Sequence, residues 1–233
     1  MLGRALRVMS ANLWNGRADP RRFVELVEAA EIDVVAVQEL APEQAEALAE
    51  VLPHGQLEPA RDHTGMGLAL RWPADHSRVE LACRDARVAQ LRPAIWPELD
   101  RPVEIINVHI VAPHVPPPPR GLMQRRKQVL GLERYLLEKK AATRLLLGDF
   151  NATPLWPAYR RISSHLTDVA VASAQQLGTP VRATWGPWSG APRLLRIDHA
   201  FSCGLAIEGF QVVHVAGADH SAIVMDLSFP VEG

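Results

Sequence analysis

Cysteine is scarce in this chain, with Cys83 and Cys203 the only two in 233 residues. Two distant thiols exclude a disulfide framework and a Cys-based zinc site, so both read as buried structural thiols. Lysine is equally thin, since Lys127, Lys139 and Lys140 stand beside 22 arginines among 25 basic residues. The arginine excess has two readings: compositional bias of a GC-rich genome, or guanidinium forks that bind phosphate. Net charge is −1, which excludes a global field steering the protein to nucleic acid or an anionic membrane. No apolar run reaches the ~20 residues of a membrane span, and residues after Met1 lack a signal peptide's apolar core. A soluble, cytoplasmic protein is the expectation, although an anchor upstream of Met1 would leave no trace. No Gly/Ser-rich linker and no repeat of solenoid period divides the chain. At 48% hydrophobic and 22% charged residues, it reads as one globular domain over residues 1–233.

What is present alternates between strand-like and helix-like segments. Residues 5–12 form a strand with Val8, Ser10 and Asn12 on one face. Asp19-Pro20 supplies an N-cap and a proline in the first turn, opening a helix to Ala30. Residues 32–38 are almost wholly apolar, as in a strand buried on both faces. Pro42 to Leu52 reads as a helix with Ala45, Leu48, Ala49 and Leu52 inward. Strands are expected within 67–72, 77–83, 86–92 and 103–111. Pro113 and Pro116 to Pro119 make a stiff surface loop before a long helix over 121–140. A strand at 144–147, a helix at 156–162, a loose stretch to Gly190 and strands near 194–202, 206–215 and 222–229 complete an α/β pattern.

Polar residues gather at strand ends. Asn12, Glu39 and His109 each close a strand, and Asp149 and Asn151 follow the Leu145–Leu147 run two apart, with Phe150 directed to the core. Asp198 interrupts an apolar run, and Asp219-His220 precedes the last strand. Singly, each has a plain reading as a turn residue, a satisfied polar group or a helix-entry charge. Trp14, Trp156, Trp185 and Trp188 likewise read as packing or loop residues. Jointly the polar set is harder to explain. Turn chemistry does not require three carboxylates, an Asp beside a His, and apolar strands aimed at each.

The motifs S-A-N-L-W (Ser10–Trp14), V-Q-E (Val37–Glu39), G-D-F-N-A-T-P (Gly148–Pro154), R-I-D-H (Arg196–His199) and G-A-D-H (Gly217–His220) appear in order. Together they make the chain similar to the endonuclease/exonuclease/phosphatase superfamily, which includes DNase I-like nucleases, abasic-site endonucleases, sphingomyelinases and inositol phosphatases. Gly67 to Pro73 also looks like that family's middle strand. The resemblance implies a four-layer α/β sandwich, with two central mixed β-sheets flanked by helices and a site at the sheet edges. It implies hydrolysis of phosphate esters with Mg²⁺ or Mn²⁺, hard cations that take few protein carboxylates. It assigns Glu39 as the main metal ligand, with Asn12 beside it and Asp219 nearby. Asp149 would orient and deprotonate the attacking water, and Asn151 would hold that water or a phosphoryl oxygen. His220, kept cationic by Asp198, would bind a phosphoryl oxygen, and His109 would assist the leaving oxygen.

Departures narrow the subfamily. Where abasic-site endonucleases usually carry Tyr and a second Asp, this chain has His109 and Trp14. Ala218 replaces the commoner Ser, with a small expected effect, and His199 reads as structural. Thr184–Pro187 and Leu194–His199 look like bacterial members related to glycopeptide-resistance proteins, so the expected substrate is a small-molecule or lipid-linked phosphate. A DNase I-like nuclease is the alternative. It needs a basic track, for which Arg120, Arg125, Arg126 and Lys127 are candidates, although at helical spacing they read as a solvated face. Nucleic acid is therefore not the favoured partner. A non-catalytic binding module is the other alternative, opposed by retention of the whole polar set. Arg120, Arg125, Arg126 and Arg196 are the residues expected to flank phosphate.

Overall fold

The computed structural model describes residues 5–113 and 120–230. The first sheet contains β1 (Leu6–Asn12), β2 (Val34–Gln38), β3 (His54–Glu58), β4 (Met66–Leu70), β11 (Ala206–His214) and β12 (Ser221–Ser228), ordered β11-β12-β1-β2-β4-β3. The second contains β5 (Asp75–Val79), β6 (Ala86–Leu91), β7 (Val103–His109), β8 (Arg144–Asp149), β9 (Thr167–Asp168) and β10 (Asp198–Cys203), ordered β5-β6-β7-β8-β10-β9. Each sheet is mixed and holds one parallel pair, β1 with β2 and β7 with β8. A parallel pair needs a crossover, which α1 (Pro20–Ala29) and α3 (Arg120–Glu138) provide. The other helices are α2 (Pro42–Val51), α4 (Pro157–Ser163) and α5 (Val169–Leu177).

Strand alternation sorts the core into three layers of contact. Leu6 and Val8 of β1 meet Leu68, Ile105, Leu145 and Leu147 between the sheets. Their neighbours Met9 and Ala11 face outward onto Phe23 and Val27 of α1 and Leu48 of α2. On the other side, Ile106, Val108 and Leu146 pack under Val129 and Leu132 of α3 and Ile162 of α4. Helix, sheet, sheet and helix follow one another, which is the four-layer α/β sandwich. A buried amide near the middle of the sandwich joins the sheets. Asn107 Nδ2 donates to the carbonyls of Val37 (2.9 Å) and Gly67 (2.8 Å), while its Oδ1 accepts from Gln38 Nε2 at 2.7 Å.

The register creates the site edge. Asn12 pairs with Gln38 at the ends of parallel β1 and β2, and His109 pairs with Asp149 at the ends of β7 and β8. Antiparallel β10 begins opposite, with Asp198 against Asp149, and β12 begins just after His220. Strand ends and strand starts therefore meet along one edge of the sandwich.

Several local expectations differ from the structure. Asp19 caps α1 as expected, its Oδ1 accepting from Arg22 N at 3.0 Å. In α2, Ala49 is exposed and Gln44 is buried instead, because Gln44 Nε2 donates to the carbonyls of Gly16 (2.7 Å) and Ala18 (2.6 Å). The edge strand β3 was not expected, since His54–Glu58 is only half-buried and lacks a clear alternation. Helix α5 occupies the stretch read as loose. Asp168 caps it by accepting from Val171 N at 2.9 Å, and Gly178 ends it at φ 64°. The strand expected from 194 starts only at Asp198, because Leu195 is bridged to Trp185 instead. Cys83 is exposed and Cys203 half-buried, so neither is a fully buried thiol. Pro113 lies in a turn, and Pro116 to Pro119 fall outside the described residues. No helix among the described residues is long and apolar enough to cross a membrane.

Candidate active site

The turn after β1 is left-handed at Trp14, Asn15 and Gly16, and Glu39 after β2 is left-handed too, at φ 55°. The two turns brace one another. Asn15 N donates to Glu39 Oε2 at 2.8 Å, and Gly16 N donates to the Glu39 carbonyl at 3.1 Å. Asn12 Oδ1 accepts from Trp14 N at 2.9 Å, which fixes its amide so that Nδ2 points at carboxylates. That Nδ2 donates to Glu39 Oε1 at 3.2 Å and to Asp149 Oδ2 at 3.1 Å. Asn12 thus ties the edge of one sheet to the edge of the other.

Asp149 follows Gly148, whose φ of 138° and position 1.9 Å (for an added Cβ) from the Val108 carbonyl admit only glycine. Asn151, at φ 49°, curls back: its N donates to Asp149 Oδ1 at 2.7 Å and its Nδ2 to Asp149 Oδ2 at 3.0 Å. Asn151 Nδ2 also reaches the Ile110 carbonyl at 3.0 Å. His109 Nε2 lies 3.5 Å from Asp149 Oδ2 and 3.7 Å from Glu39 Oε1, and its Nδ1 is buried without a partner. Burial, reinforced by the charges of Arg84 and His220, holds His109 well below the ordinary histidine range, so it is neutral.

His220 has the opposite state. Its Nδ1 donates to the two Asp198 oxygens at 2.9 and 3.1 Å. Burial alone would discharge the ring, but Asp198, Asp149 and Asp219 together outweigh it and raise the pKa to about 10. Asp149 is pushed up to about 7, chiefly by burial and further by Asp198 and Glu39, against the pull of cationic His220. A carboxylate able to hold a proton near neutrality therefore stands beside an imidazolium. Ligand atoms of Asp149, Asp198 and His220 all lie within 4.8 Å of one another. Asp219 joins from the side, its Oδ2 accepting from Trp185 Nε1 at 3.1 Å while Oδ1 is buried without a partner.

The structure thus links Asn12, Glu39, His109, Asp149, Asn151, Asp198 and His220 through successive contacts, with Asp219 adjoining. The donor set suits a hard divalent cation. Buried carboxylate oxygens outnumber the cations that face them, and Asp219 Oδ1 lacks a hydrogen-bond donor. His220 is less suited to ligation than its place in the cluster suggests, because a protonated ring offers no lone pair.

Two expected phosphate-flanking arginines face elsewhere. Arg125 turns inward, donating to the carbonyls of Val111 (2.6 Å) and Phe150 (3.0 Å) beneath the Trp156 ring. Arg196 pairs with Asp168 at 2.8 Å and reaches Tyr159 Oη at 3.3 Å. Arg120, Arg126 and Lys127 are exposed on α3. His199 is structural as expected, packed among Phe150, Tyr159 and Phe201 with Nε2 2.7 Å from the Ala152 carbonyl. Ala218 is fully buried in the core beneath α1 and α2.

Two other arginines, unmarked by any motif, serve the site. Arg193 clamps the loop before β12, donating to the carbonyls of Ala218 (3.3 Å), Asp219 (2.7 Å) and His220 (3.1 Å) and to Ser221 Oγ (2.8 Å). Arg84, from the β5–β6 turn, lies in the fields of Glu39 and Asp149, and its Nη1 is buried without a hydrogen-bond partner. Its position two residues ahead of a strand was the only available signal.

Comparison with known proteins agrees with this fold. No curated protein matches the chain. Among solved structures, an endonuclease/exonuclease/phosphatase from Bacteroides vulgatus is similar with a TM-score of 0.74 at 18% identity, covering 97% of this chain and 99% of the other. A mannosyl-6-phosphatase from Bacteroides thetaiotaomicron is similar with a TM-score of 0.73 at 16% identity, covering 97% and 100%. The human nocturnin catalytic domain with bound sulfate gives 0.70 at 18%, covering 97% and 95%. These likenesses establish the fold. The model of the Endonuclease/Exonuclease/phosphatase family matches residues 9–220, from the first strand to His220. The chain belongs to the endonuclease/exonuclease/phosphatase family.

Proposed function

We propose that residues 1–233 act as one catalytic domain, a divalent-metal-dependent hydrolase of phosphate esters with a small-molecule or lipid-linked substrate. The observation that carries this reading is the pairing of a cationic, carboxylate-held His220 with Asp149, a carboxylate raised to about 7. Phosphate esters resist attack because their anionic oxygens repel nucleophiles and the alkoxide is a poor leaving group. Glu39 and Asp219 would hold Mg²⁺ or Mn²⁺, which when bound neutralises phosphate charge, and Asn12 would join them through Oδ1 on turning its amide away from Trp14 N. The chain's own groups divide the remaining work. Imidazolium His220 donates to a phosphoryl oxygen, its ring fixed by Asp198. Asp149 accepts a proton from the attacking water, which Asn151 helps orient. As the water oxygen bonds to phosphorus, the bond to the ester oxygen breaks and the departing alkoxide takes a proton from solvent. Neutral His109 donates a hydrogen bond to that oxygen. Arg84 supplies a further positive charge beside the two carboxylates.

Family membership and the similarity to a mannosyl-6-phosphatase support hydrolysis of a phosphate ester over a non-catalytic module. The nuclease reading keeps only part of its basic track, because Arg125 is spent on backbone carbonyls while Arg120, Arg126 and Lys127 stay exposed on α3. Hydrolysis of bis-p-nitrophenyl phosphate with and without Mg²⁺ tests the proposal. Activity should require the ion, and Asp149→Ala should lower kcat ~10²–10³-fold. Activity indifferent to EDTA, or to Asp149→Ala, would refute it.

A further inference from the structure

Large apolar side chains are exposed unevenly over this protein. On the segment after β7, Leu122 and Met123 are about half exposed, at 51% and 52%. On the segment after β8, Leu155 is 82% exposed and Trp156 37%. Trp188, Leu194 and Leu195 are exposed on the segment leading into β10. The first two segments leave, and the third enters, the edge where His109, Asp149 and Asp198 stand. Exposed apolar groups concentrated beside a reaction site mark a surface that meets apolar matter.

Between α3 and the start of α4 this surface becomes a groove of about 420 Å³. Leu122, Val129 and Leu130 line one side, and Trp156, Pro157 and Ala158 the other. Arg126 and Arg161 also line it, and Arg125 forms its floor. Arg125 also ties the groove to the strand ends that carry the site. Arg125 donates to the carbonyl of Phe150, the residue between Asp149 and Asn151, and to that of Val111, two residues past His109. An apolar groove edged by Arg126 and backed through Arg125 onto the segments that carry Asp149 and His109 complements an anionic head joined to an alkyl tail.

We infer that this groove receives the hydrocarbon tail of a lipid phosphate ester whose phosphate occupies the neighbouring site. This deepens the phosphoesterase reading and rests on it. Exposed Arg126 at the rim favours an anionic amphiphile over a neutral one, Arg161 being held by Glu133, and exposed Leu122 and Trp156 are the groove walls a tail would cover. Polar sugar phosphates would leave the apolar walls wet and gain nothing from them.

Chromogenic p-nitrophenyl alkyl phosphates, with alkyl chains from ethyl to octyl and kept below their micelle-forming concentrations, test the inference with Mg²⁺ present. Burial of a methylene is worth ~0.8 kcal/mol, and a groove open on one side captures about half, so kcat/KM should rise roughly twofold per methylene. Across the six methylenes from ethyl to octyl this is on the order of 50-fold. The double variant Leu122→Ser/Trp156→Ser should flatten that slope; serine suits the position of Trp156, which caps α4. Leu137→Ser removes an equally exposed leucine at the far end of α3 and should leave the slope intact. Equal kcat/KM at all chain lengths, a slope that survives the double variant, or equal flattening by Leu137→Ser would each overturn the tail site while leaving phosphoesterase activity established. No hydrolysis of any ester would overturn the phosphoesterase reading itself and this one with it.

Discussion

Replacing Asp198 with Asn keeps the residue's size and one acceptor oxygen for His220 Nδ1, removes the negative charge and turns the other oxygen into a donor. In the wild type, His220 is held at a pKa of about 10 against an ordinary 6.5, a preference for the imidazolium on the order of 5 kcal/mol. Burial opposes that preference, and Asp198 is foremost among the carboxylates that overcome it. Without it, burial is resisted only by Asp149 and Asp219, so the ring discharges near neutrality. A neutral ring no longer offers a charge-assisted bond to the phosphoryl oxygen, and kcat at pH 8 should fall ~10²–10³-fold, about 2.7–4 kcal/mol. The pH–rate profile separates this cause from simple misfolding. The wild-type ring stays charged up to about pH 10, so it places no alkaline limb between pH 6 and 9. In Asp198→Asn the ring loses its proton within that range, and activity relative to wild type should recover as pH is lowered. A folded variant that keeps the wild-type kcat, or loses it equally at every pH, would refute the assignment of His220 as a cationic phosphate ligand.

Three other outcomes follow from particular contacts. Asn107→Ala removes three buried hydrogen bonds between the sheets and takes the 2.7 Å acceptor from Gln38 Nε2, and urea denaturation should show a loss of about 2–4 kcal/mol. Buried His199 has its pKa lowered to about 4, so below pH 6.5 the unfolded chain binds the proton more readily than the native one. That contribution is complete above pH 6.5 and lost as pH falls towards 4; between pH 7 and 5 it removes about 2 kcal/mol, a slope that His199→Gln should lack. Arg84→Met removes a half-buried guanidinium whose buried Nη1 has no hydrogen-bond partner. Thermal stability should hold or rise while kcat/KM for an anionic ester falls roughly tenfold, as expected on losing a charge-assisted contact. Lost stability with unchanged kcat/KM would assign Arg84 to the scaffold instead.

Much of this architecture is legible in local patterns. The period-2 alternation of Leu6–Asn12 and the apolar run of Val34–Gln38 identify strands because side chains of an extended backbone alternate faces. Asp19-Pro20 identifies a helix start because proline needs no N–H there and aspartate supplies an acceptor. Less legible are β3 and α5. His54–Glu58 is a half-buried edge strand, and Val169–Leu177 is a short helix whose valines and alanines alternate like a strand. In both, pairing and packing with distant segments outweigh local preference.

The sequence by itself determined which polar residues stand at strand ends and that they follow one another in a family's order, since backbone periodicity and turn chemistry act over a few residues. Only the tertiary structure decided their states. His109 and His220 are both buried imidazoles, yet one is neutral and the other cationic because Asp198 meets only His220. Arg125 and Arg196, which looked available for phosphate, are spent on Val111, Phe150 and Asp168, while unremarked Arg84 and Arg193 serve the site. Burial and electric field are sums over segments far apart in the chain, and no local pattern records them.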